Sequence, residues 1–473
     1  MPHIRILRHY IHTPYIVLAL GEMIVAATAA YLAYYTRYQQ LPDVLFYLPT
    51  ALTFSLIVVV ANVAMGVYEA RLREGFSAMM LRTAVAIFLL GTILMGLVSY
   101  FVPLLEMARP VLLFATLETF LLIGTFRWIT TTLIDEDKLK KRVLVLGTGR
   151  RAQKIAARMR RRSDQRGFIL LGFMQGLDAT AENQVSEHQA EILSTNLKLS
   201  EYCARHQVEE IVVAMDEQRR SRDAAGGLPL EELMECRLSG VNICDVQQFI
   251  ERESGKVDID LLRPSWMVYA DGFKISTPRA AVKRTFDLLA SISLLLVAWP
   301  VMLLAALCIK LESGFSTAAV FRQVRVGLDG TTFSLLKFRS MHTSDPDDSA
   351  MWTRTNDKRV TRVGSFIRKT RIDELPQLFN VIRGEMSFVG PRPERPAFVD
   401  EFNESIPFYR ERHRVKPGIT GWAQLCYPYG DSVEDAREKL QYDLYYLKNQ
   451  SILLDLAILI QTVEVVLIGE GAR

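Results

Sequence analysis

Long apolar segments occupy the first third of this chain, and they constrain its fold more than any other feature. An α-helix needs about 20 residues to cross the hydrocarbon core of a bilayer. Four segments come near that length: Tyr15–Tyr35, Leu45–Val67, Met80–Leu104 and Val111–Leu133. They predict a four-helix transmembrane bundle over residues 1–135, since a backbone in contact with lipid must satisfy its own hydrogen bonds.

Basic residues are distributed unevenly around these segments. Most of them precede the first segment, lie between the second and third, or follow the fourth: Arg5, Arg8, Arg71, Arg73, Arg82, Lys138, Lys140, Lys141 and Arg142. The other two loops carry only Arg37 and Arg109. Because cytoplasmic loops are enriched in Lys and Arg, both ends of the bundle are predicted to face the cytoplasm. Inside the segments, Glu22 and Glu118 are either functional or bonded to neighbouring helices.

Composition narrows the class of protein further. The chain has 473 residues, half of them hydrophobic, which predicts two or three domains. A formal net charge of +4 is by itself too small to indicate nucleic-acid binding. The five cysteines show neither metal-binding spacing nor a disulfide framework, so reduced thiols in the cytoplasm are expected. The first apolar segment is too long for a cleavable signal peptide.

An α/β segment follows, over residues 136–278. Strands are predicted at Arg142–Leu146, Phe168–Met174 and Glu210–Met215, and the first leads through Gly147-Thr148-Gly149 into a helix at Ala152–Arg162. This order predicts a Rossmann-like unit, whose glycine turn can place a phosphate at a helix N-terminus. The second strand ends without the acid that would hold a ribose. A structural or oligomerising domain, or one for another nucleotide, is therefore favoured over a working NAD site.

The most distinctive stretch runs from Lys337 to Arg395. It reads KFRSM at 337–341 and RKTRIDELPQLFNVIRGEMSFVGPRP at 368–393, with the adjacent carboxylates Asp373 and Glu374 among many basic residues. Basic groups that hold an anionic substrate, and a carboxylate that attacks it or holds a metal, suit phosphate chemistry. Asp-Glu-Leu-Pro is also how an ordinary helix begins, with Asp as N-cap. The flanking motifs favour the functional interpretation.

These motifs, together with RHRVKPGITGWAQL at 412–425, resemble those of a bacterial sugar-transferase family, the monotopic phosphoglycosyl transferases. Members of that family move a sugar-1-phosphate from a nucleotide sugar to polyprenyl phosphate. The match runs from about Lys283 to Ile468. The preceding apolar and α/β segments resemble the large, multi-domain branch that initiates exopolysaccharide or O-antigen synthesis.

The resemblance implies a reaction and its partners. A UDP-sugar and undecaprenyl phosphate would give undecaprenyl-diphospho-sugar and UMP through a covalent phospho-aspartate, with Mg²⁺ as cofactor. The expected location is the bacterial inner (cytoplasmic) membrane, with the soluble domains in the cytoplasm. Membrane lipid is an expected partner, nucleic acid is not, and a homodimer is the candidate assembly.

The resemblance also assigns roles to residues. Asp373 is the expected nucleophile and Glu374 the base or metal ligand, and both are the expected ligands of Mg²⁺. Phosphate or nucleotide contacts are expected from four basic residues of the motifs, and one amide is expected to support the acid pair: Lys337, Arg339, Arg368, Arg392 and Gln377.

Residues 279–473 begin with a further apolar run, Phe286–Leu311, which has Pro300 at its middle and basic residues at both ends. One interpretation is an ordinary kinked span, which would put the arginine-rich stretch in the periplasm. The other is a re-entrant hairpin that breaks at Pro300 and returns to the cytoplasmic side, and the resemblance favours it. The expected fold class is therefore membrane α plus α/β: a four-helix transmembrane bundle, a Rossmann-like α/β domain and a re-entrant-helix α+β catalytic domain.

Two other functions fit parts of the sequence. A membrane-anchored, NAD-dependent sugar-nucleotide epimerase or dehydratase would need a Tyr-x-x-x-Lys pair, and no tyrosine in the chain has a lysine four residues later. A non-enzymatic scaffold for polysaccharide export would leave the KFRSM and GPRP motifs unexplained. Both are weaker interpretations than the transferase.

Overall fold

A computed structural model describes residues 3–6, 9–68, 76–133, 140–159, 167–175, 191–193, 197–216, 228–262, 277–341, 359–427, 430 and 432–468. The chain divides into two compact units, one mainly Tyr10–Gly255 and the other mainly Lys256–Arg473. Membrane-type helices and a parallel α/β sheet are both present, so the coarse fold class is confirmed. The bounds of the three predicted domains stay a prediction.

The apolar part of the first unit is helical. Two short strands, β1 (His3–Ile6) and β2 (His9–His12), precede it. Its helices are Thr13–Tyr38, Val44–Ala64, Phe76–Ala84, the π-helix Val85–Gly91, Thr92–Phe101, the 3-10 turn Pro103–Leu105 and Arg109–Leu133. Four stretches here are long and apolar enough to cross a membrane: Ile16–Tyr38, Val44–Ala64, Met79–Phe101 and Arg109–Thr130. They coincide with the predicted segments, whereas their insertion and orientation stay predictions.

A buried ion pair joins these helices. Arg127 donates from Nε to Oε1 of Glu22 at 2.5 Å and from Nη2 to Oε2 at 2.7 Å, and both side chains are at most 1% exposed. Tyr68 donates to Glu22, and Arg127 donates to Thr83. Because a charge in an apolar surrounding is tolerated only when it is paired, this bidentate contact accounts for Glu22 as a link between helices.

A parallel sheet of five strands forms the rest of the first unit. Its strands are β3 (Lys141–Leu146), β4 (Phe168–Met174), β5 (Ile192–Leu193), β6 (Glu210–Val213) and β7 (Asn242–Asp245), in the order β5-β4-β3-β6-β7. Its helices are Arg150–Arg158, Leu199–His206, Leu230–Leu238 and Val246–Ser254. The central strand β3 has a fully buried VLVL run, as expected for a strand covered on both faces. This doubly wound order confirms the Rossmann-like prediction.

The second unit is an α+β fold. An antiparallel hairpin, β8 (Val320–Val326) and β9 (Thr332–Phe338), and a parallel pair, β10 (Ser387–Val389) and β11 (Gly418–Thr420), are its strands. Its helices and 3-10 turns are Ile259–Leu261, Thr277–Ser313, Leu328–Gly330, Arg362–Lys369, Ile372–Glu374, Gln377–Arg383, Pro396–Ser405, Tyr409–Arg414, Trp422–Cys426, Val433–Asn449 and Ile452–Ile468. Its main core contains Val389, Tyr409, Trp422, Leu444 and Tyr445.

The long apolar helix Thr277–Ser313 runs through Pro300 without interruption. The helix is therefore not interrupted at this proline, whereas the predicted change in its direction there stays a prediction. Proline removes one backbone hydrogen bond, but its fixed φ is compatible with a helix, so the chain can continue through it. That the segment enters and leaves by one membrane face stays a prediction.

Both ends of this helix are fixed within the second unit. Near its start, Arg284 donates to the carbonyl oxygens of Val381 and Ile382 at 2.6 and 2.7 Å. These carbonyls lie in the last turn of the helix Gln377–Arg383, where the Val381 carbonyl also accepts from the Gly384 amide. Near its end, Glu312 accepts hydrogen bonds from the first backbone amides of the helix Arg362–Lys369. The long helix therefore supports the two helices that flank the acid pair.

Candidate functional site

The two acids lie in a single 3-10 turn, Ile372–Glu374. Arg371, immediately before the turn, has a left-handed backbone with φ 58°. That conformation is uncommon for a residue with a side chain and costs on the order of 1 kcal/mol. Asp373 does not cap the next helix, because the N-cap of Gln377–Arg383 is Pro376. The ordinary helix-start interpretation is therefore wrong, and a strained turn presents the acids instead.

Glu374 is surrounded by cations. Its Oε1 lies 3.3 Å from Nζ of Lys337 and 3.6 Å from a guanidinium nitrogen of both Arg371 and Arg392. Burial would raise the pKa of this carboxyl, but Lys337, Arg392 and Arg371 outweigh it and lower the pKa to about 2. Glu374 is therefore ionised at any physiological pH.

Asp373 has a different environment although it is the next residue. Its side chain is buried, and no hydrogen bond or ion pair holds it among the described residues. Burial and the neighbouring charge of Glu374 raise the pKa of Asp373 above its ordinary value, with Lys337, Arg371 and Arg368 opposing them. Two neighbouring carboxyls with opposite pKa shifts are suited to different roles. Asp373 is the one whose oxygens are not already committed to a partner in the described chain.

The structure brings only part of the predicted set to the acids. Lys337 (at the end of β9) and Arg392 pair with Glu374, and Arg368 acts on Asp373 through its charge. Arg339 instead donates to the carbonyl of Ala318 at 2.9 Å. Gln377 is buried, and the described chain shows no side-chain hydrogen bond from it to the acids.

Arg371 is a contact that the predicted set omits. It lies three residues before Glu374, a spacing that brings side chains together within one helical turn. The three-residue spacing of Arg371 and Glu374 is the feature of the sequence that could have predicted this contact.

Close backbone packing explains the glycines of the two flanking motifs. β10 pairs in parallel with β11, with Ser387 opposite Gly418 and Val389 opposite Thr420. A Cβ at Gly390 would overlap the Lys416 carbonyl oxygen, and one at Gly418 would overlap the Gly390 amide. The VGPRP and KPGITG segments therefore need glycine because their main chains lie against each other.

Five main-chain carbonyls around Arg392 are hydrogen-bonded. Val389 accepts from Lys283 and Tyr446, Pro391 from the Gly418 amide, Arg392 from Arg412, Pro393 from Arg325 and Glu394 from the Val326 amide. Because Pro391 and Pro393 have no N–H, this loop must be held largely through its carbonyls. The loop thus fixes the Cα of Arg392 beside the acid pair.

Asn380 fixes the other side of the site. Its amide nitrogen donates to the Ser334 carbonyl at 2.8 Å, and its amide oxygen accepts from the Leu336 amide at 3.0 Å. It is fully buried, so leaving either group unpaired would be costly. These bonds attach the helix Gln377–Arg383 to β9 next to Lys337.

The acid pair offers carboxylate oxygens, which are ligands that magnesium prefers. The described part of the chain contains no cluster of three or more His, Cys, Asp or Glu residues placed to hold a metal. Magnesium often binds through one or two carboxylates, with water and substrate phosphates as its other ligands. Asp373 meets that requirement with a carboxylate that has no hydrogen bond or ion pair among the described residues, whereas the carboxylate of Glu374 is shared with three cations. The residues fit Mg²⁺ that arrives with a phosphate substrate.

Comparisons with known proteins match both parts of the chain. A family model described as bacterial sugar transferase matches residues 278–469, and one described as CoA-binding domain matches residues 63–222. The UDP-N-acetylgalactosamine-undecaprenyl-phosphate N-acetylgalactosaminephosphotransferase of Aeromonas hydrophila is 43% identical over 242 residues, which are 51% of this chain and 56% of that protein.

Two further relatives differ in how much of them is matched. The undecaprenyl-phosphate glucose phosphotransferase of Komagataeibacter xylinus is 34% identical over 350 residues, 72% of this chain and 62% of that protein. The UDP-glucose:undecaprenyl-phosphate glucose-1-phosphate transferase of Caulobacter vibrioides is 43% identical over 200 residues, 41% of this chain and 74% of that protein. The chain therefore spans less than two thirds of the Aeromonas and Komagataeibacter proteins but most of the Caulobacter one.

Proposed function

Because the chain belongs to the bacterial sugar transferase family, we propose that it transfers a sugar-1-phosphate from a UDP-sugar to undecaprenyl phosphate and releases UMP. The observation that carries the proposal is the unequal acid pair: Glu374 is bound by Lys337, Arg371 and Arg392, whereas Asp373 has no such partner in the described chain. The names of the relatives, which are transferases to undecaprenyl phosphate, support the substrates.

Asp373 is the nucleophile in this proposal. An oxygen of its carboxylate attacks the β-phosphorus of the UDP-sugar, and the bond from that phosphorus to the bridging oxygen breaks, so that UMP leaves with the electron pair. A phosphate oxygen of the lipid then attacks the phospho-aspartate. This second step breaks the Asp373 oxygen–phosphorus bond, restores the carboxylate and forms the lipid diphosphate sugar.

Repulsion between anions is the main obstacle to both steps. Lys337, Arg371 and Arg392 supply positive charge beside the acid pair, where negative charge builds up on the phosphate oxygens. Glu374 holds these cations together in the absence of substrate. Asp373 and Glu374 would hold Mg²⁺, which adds positive charge at the diphosphate when it is bound.

The long apolar helix supports a site at the membrane surface. Leu296, Val297 and Leu303 at its middle are largely exposed, which suits contact with lipid, while Arg284 and Glu312 bond to the catalytic unit from its two ends. We propose that both ends lie at the cytoplasmic face of the inner membrane, so that one site reaches a soluble and a lipid substrate. Cysteine labelling from outside intact cells should then miss positions near Ser340, and efficient labelling there would contradict this topology.

UMP release tests the proposed function. Purified protein in detergent, given undecaprenyl phosphate and a panel of UDP-sugars that includes UDP-N-acetylgalactosamine, UDP-glucose and UDP-galactose, should release UMP from at least one. Chelation of magnesium should stop it. Asp373→Asn should fold normally and release none, whereas Asp400→Asn, an exposed acid on the helix Pro396–Ser405, should retain activity. No release from any sugar, or release by Asp373→Asn, would contradict the proposal. A product that carries the sugar on lipid would make the protein a candidate for the first step of exopolysaccharide or O-antigen synthesis.

A further inference from the structure

Arg412 is a buried cation that the proposed chemistry does not use directly. It lies in the 3-10 turn Tyr409–Arg414. All three nitrogens of its guanidinium form hydrogen bonds. Nη1 donates to the Tyr409 hydroxyl at 2.7 Å, Nε and Nη2 approach Oδ2 of Asp443 at 3.0 and 2.8 Å, and Nη2 donates to the Arg392 carbonyl at 3.0 Å. A buried charge needs such pairing, and Asp443 supplies it.

The bond to Arg392 has a further consequence. Pro391 and Pro393 have no N–H, so the loop is held through its carbonyls, and the carbonyl of Arg392 itself accepts its hydrogen bond from Arg412. One guanidinium nitrogen of Arg392 in turn lies 3.6 Å from Oε1 of Glu374. A continuous series of contacts therefore runs from Asp443 through Arg412 and the Arg392 main chain to the acid pair.

We infer that Arg412 is a positioning residue that acts on the reaction through Arg392. This inference rests on the proposed function. Arg412 holds the peptide from which the Arg392 side chain extends, and it touches no substrate. A small shift of that peptide would move the guanidinium away from the phosphate that it stabilises, and a misplacement of this kind lowers turnover.

A double-mutant cycle separates positioning from stability. Arg412→Lys keeps a buried cation for Asp443 but loses the planar fork that also reaches Arg392. We expect it to lower kcat about tenfold, a change that falls within the coupling of directly connected residues. In an Arg392→Gln background the same substitution should change kcat less than about twofold, since the group through which it acts is gone. The exposed neighbour variant Arg410→Lys is the matched control and should not alter kcat.

Thermal unfolding of the same proteins supplies the structural comparison. A loss of Tm from Arg412→Lys should be equal in both backgrounds, while the loss of kcat should not. Equal losses of kcat in both backgrounds would overturn the positioning role and leave the proposed function intact. A wild-type protein that releases no UMP would overturn the proposed function and this role with it.

A second, independent observation concerns the glycine turn of the first unit. Gly147 has φ +124°, and a Cβ there would lie 2.7 Å from the Ala214 carbonyl oxygen. A Cβ at Gly149 would overlap the Asp216 carboxylate, and Ala152 is fully buried. Packing within the chain therefore accounts for the small residues Gly147, Gly149 and Ala152 without a bound nucleotide.

Asp216 occupies the place where a phosphate would bind. Its Oδ2 accepts from the Arg150 amide at 2.8 Å and its Oδ1 accepts from the Arg151 amide at 3.1 Å. These are the first amides of the helix Arg150–Arg158, which otherwise lack an acceptor and attract anions. Asp216 follows β6, the strand beside β3, so it reaches the turn from the edge of the sheet where doubly wound folds bind ligands.

We infer that the Asp216 carboxylate is the resident anion of this turn and that the turn does not bind the phosphates of a nucleotide or of coenzyme A. A phosphate would have to displace a covalently attached carboxylate that already uses both amides. Repulsion between the two anions adds to that cost.

Anion binding tests this assignment in the full chain. The wild-type protein is titrated with coenzyme A, NAD or UDP, and the titration is repeated with Gly149→Ala. Any binding seen in the wild type should remain in the variant, because the turn does not take part in it. Asp216→Ala should lower Tm, and sulfate should raise it again by more than it does in the wild type, because a ligand that binds the folded state stabilises it. Chloride at equal ionic strength controls for general salt effects.

The outcomes are distinct. If Asp216→Ala does not fold, Asp216→Asn, which keeps an acceptor at the helix N-terminus, is used for the same comparison. Wild-type binding of coenzyme A or a dinucleotide that is lost in Gly149→Ala would overturn the assignment. So would an Asp216→Ala protein with wild-type Tm and no response to sulfate.

Discussion

Neighbouring charges, more than the identity of the two acids, distinguish Asp373 from Glu374. Glu374 is ion-paired to Lys337, Arg371 and Arg392, whereas the described chain gives Asp373 no such partner. The charge of Glu374 is also one of the causes that raise the pKa of Asp373. The two side chains are therefore coupled, and a change in one alters the protonation of the other.

Glu374→Gln should change the pH dependence of turnover as well as its rate. Loss of the charge that holds the cations should lower kcat about 100-fold or more. Asp373 must be ionised to attack, so activity falls as the pH drops through its raised pKa. The variant removes one cause of that rise, and the acidic limb of the kcat/KM profile should move to lower pH. A limb that stays in place would show that Asp373 does not set it.

At the residue scale the sequence predicted the acid pair, Lys337 and Arg392 as parts of one site. For Arg339 the motif could not show the bond from its Nε to the Ala318 carbonyl, and its predicted role in substrate binding stays a prediction. The contacts of Arg412 could not be predicted from the sequence either, because its partner Asp443 lies 31 residues away. Motifs identify residues that are close in the chain, and long-range bonds need the structure.

Among elements, those with a clear local signal were predicted well. β4 (Phe168–Met174) has the predicted bounds, and β3 and β6 differ from theirs by at most two residues, because continuous apolar runs indicate these strands. The short edge strands β5 and β7 were missed. Pro300 does not end its helix, because proline weakens a helix without having to end it and tertiary contacts at both ends hold this one.

The close approach of β10 and β11 predicts that replacement of Gly390 lowers stability. Gly390→Ala should separate the two strands, because its Cβ would overlap the Lys416 carbonyl, and unfolding free energy should fall by about 2 kcal/mol or more. UMP release should fall too, since Arg392 is two residues away. Gly96→Ala is the matched control, because nothing lies within 4 Å of its added Cβ. Equal Tm values for the two variants would contradict this explanation of the motif.

For the whole molecule, the second unit begins before the long helix. Val257 and Ile259 are buried in its main core, Lys256 pairs with Glu438 at 2.6 Å, and the Val257 amide donates to the Gln441 carbonyl at 3.0 Å. A chain cut at Thr277 would lose these contacts. These residues therefore pack with the compact unit that starts at Lys256.

Two truncations should differ for this reason. A chain of Lys256–Arg473 should retain UMP release and unfold at a higher temperature than one of Thr277–Arg473, which leaves part of the core exposed. Both are compared in the same detergent. Loss of activity from a well-folded Lys256–Arg473 chain would show that the first unit contributes to the chemistry directly.

The covalent intermediate is the central claim for the molecule, and mass spectrometry tests it most directly. Protein quenched with a UDP-sugar that it uses, in the absence of lipid acceptor, should carry a sugar-phosphate on the peptide that contains Asp373. Addition of undecaprenyl phosphate before the quench should remove the adduct, and Asp373→Asn should never form it. An unmodified peptide from an enzyme that turns over, together with UMP release by Asp373→Asn, would contradict the account.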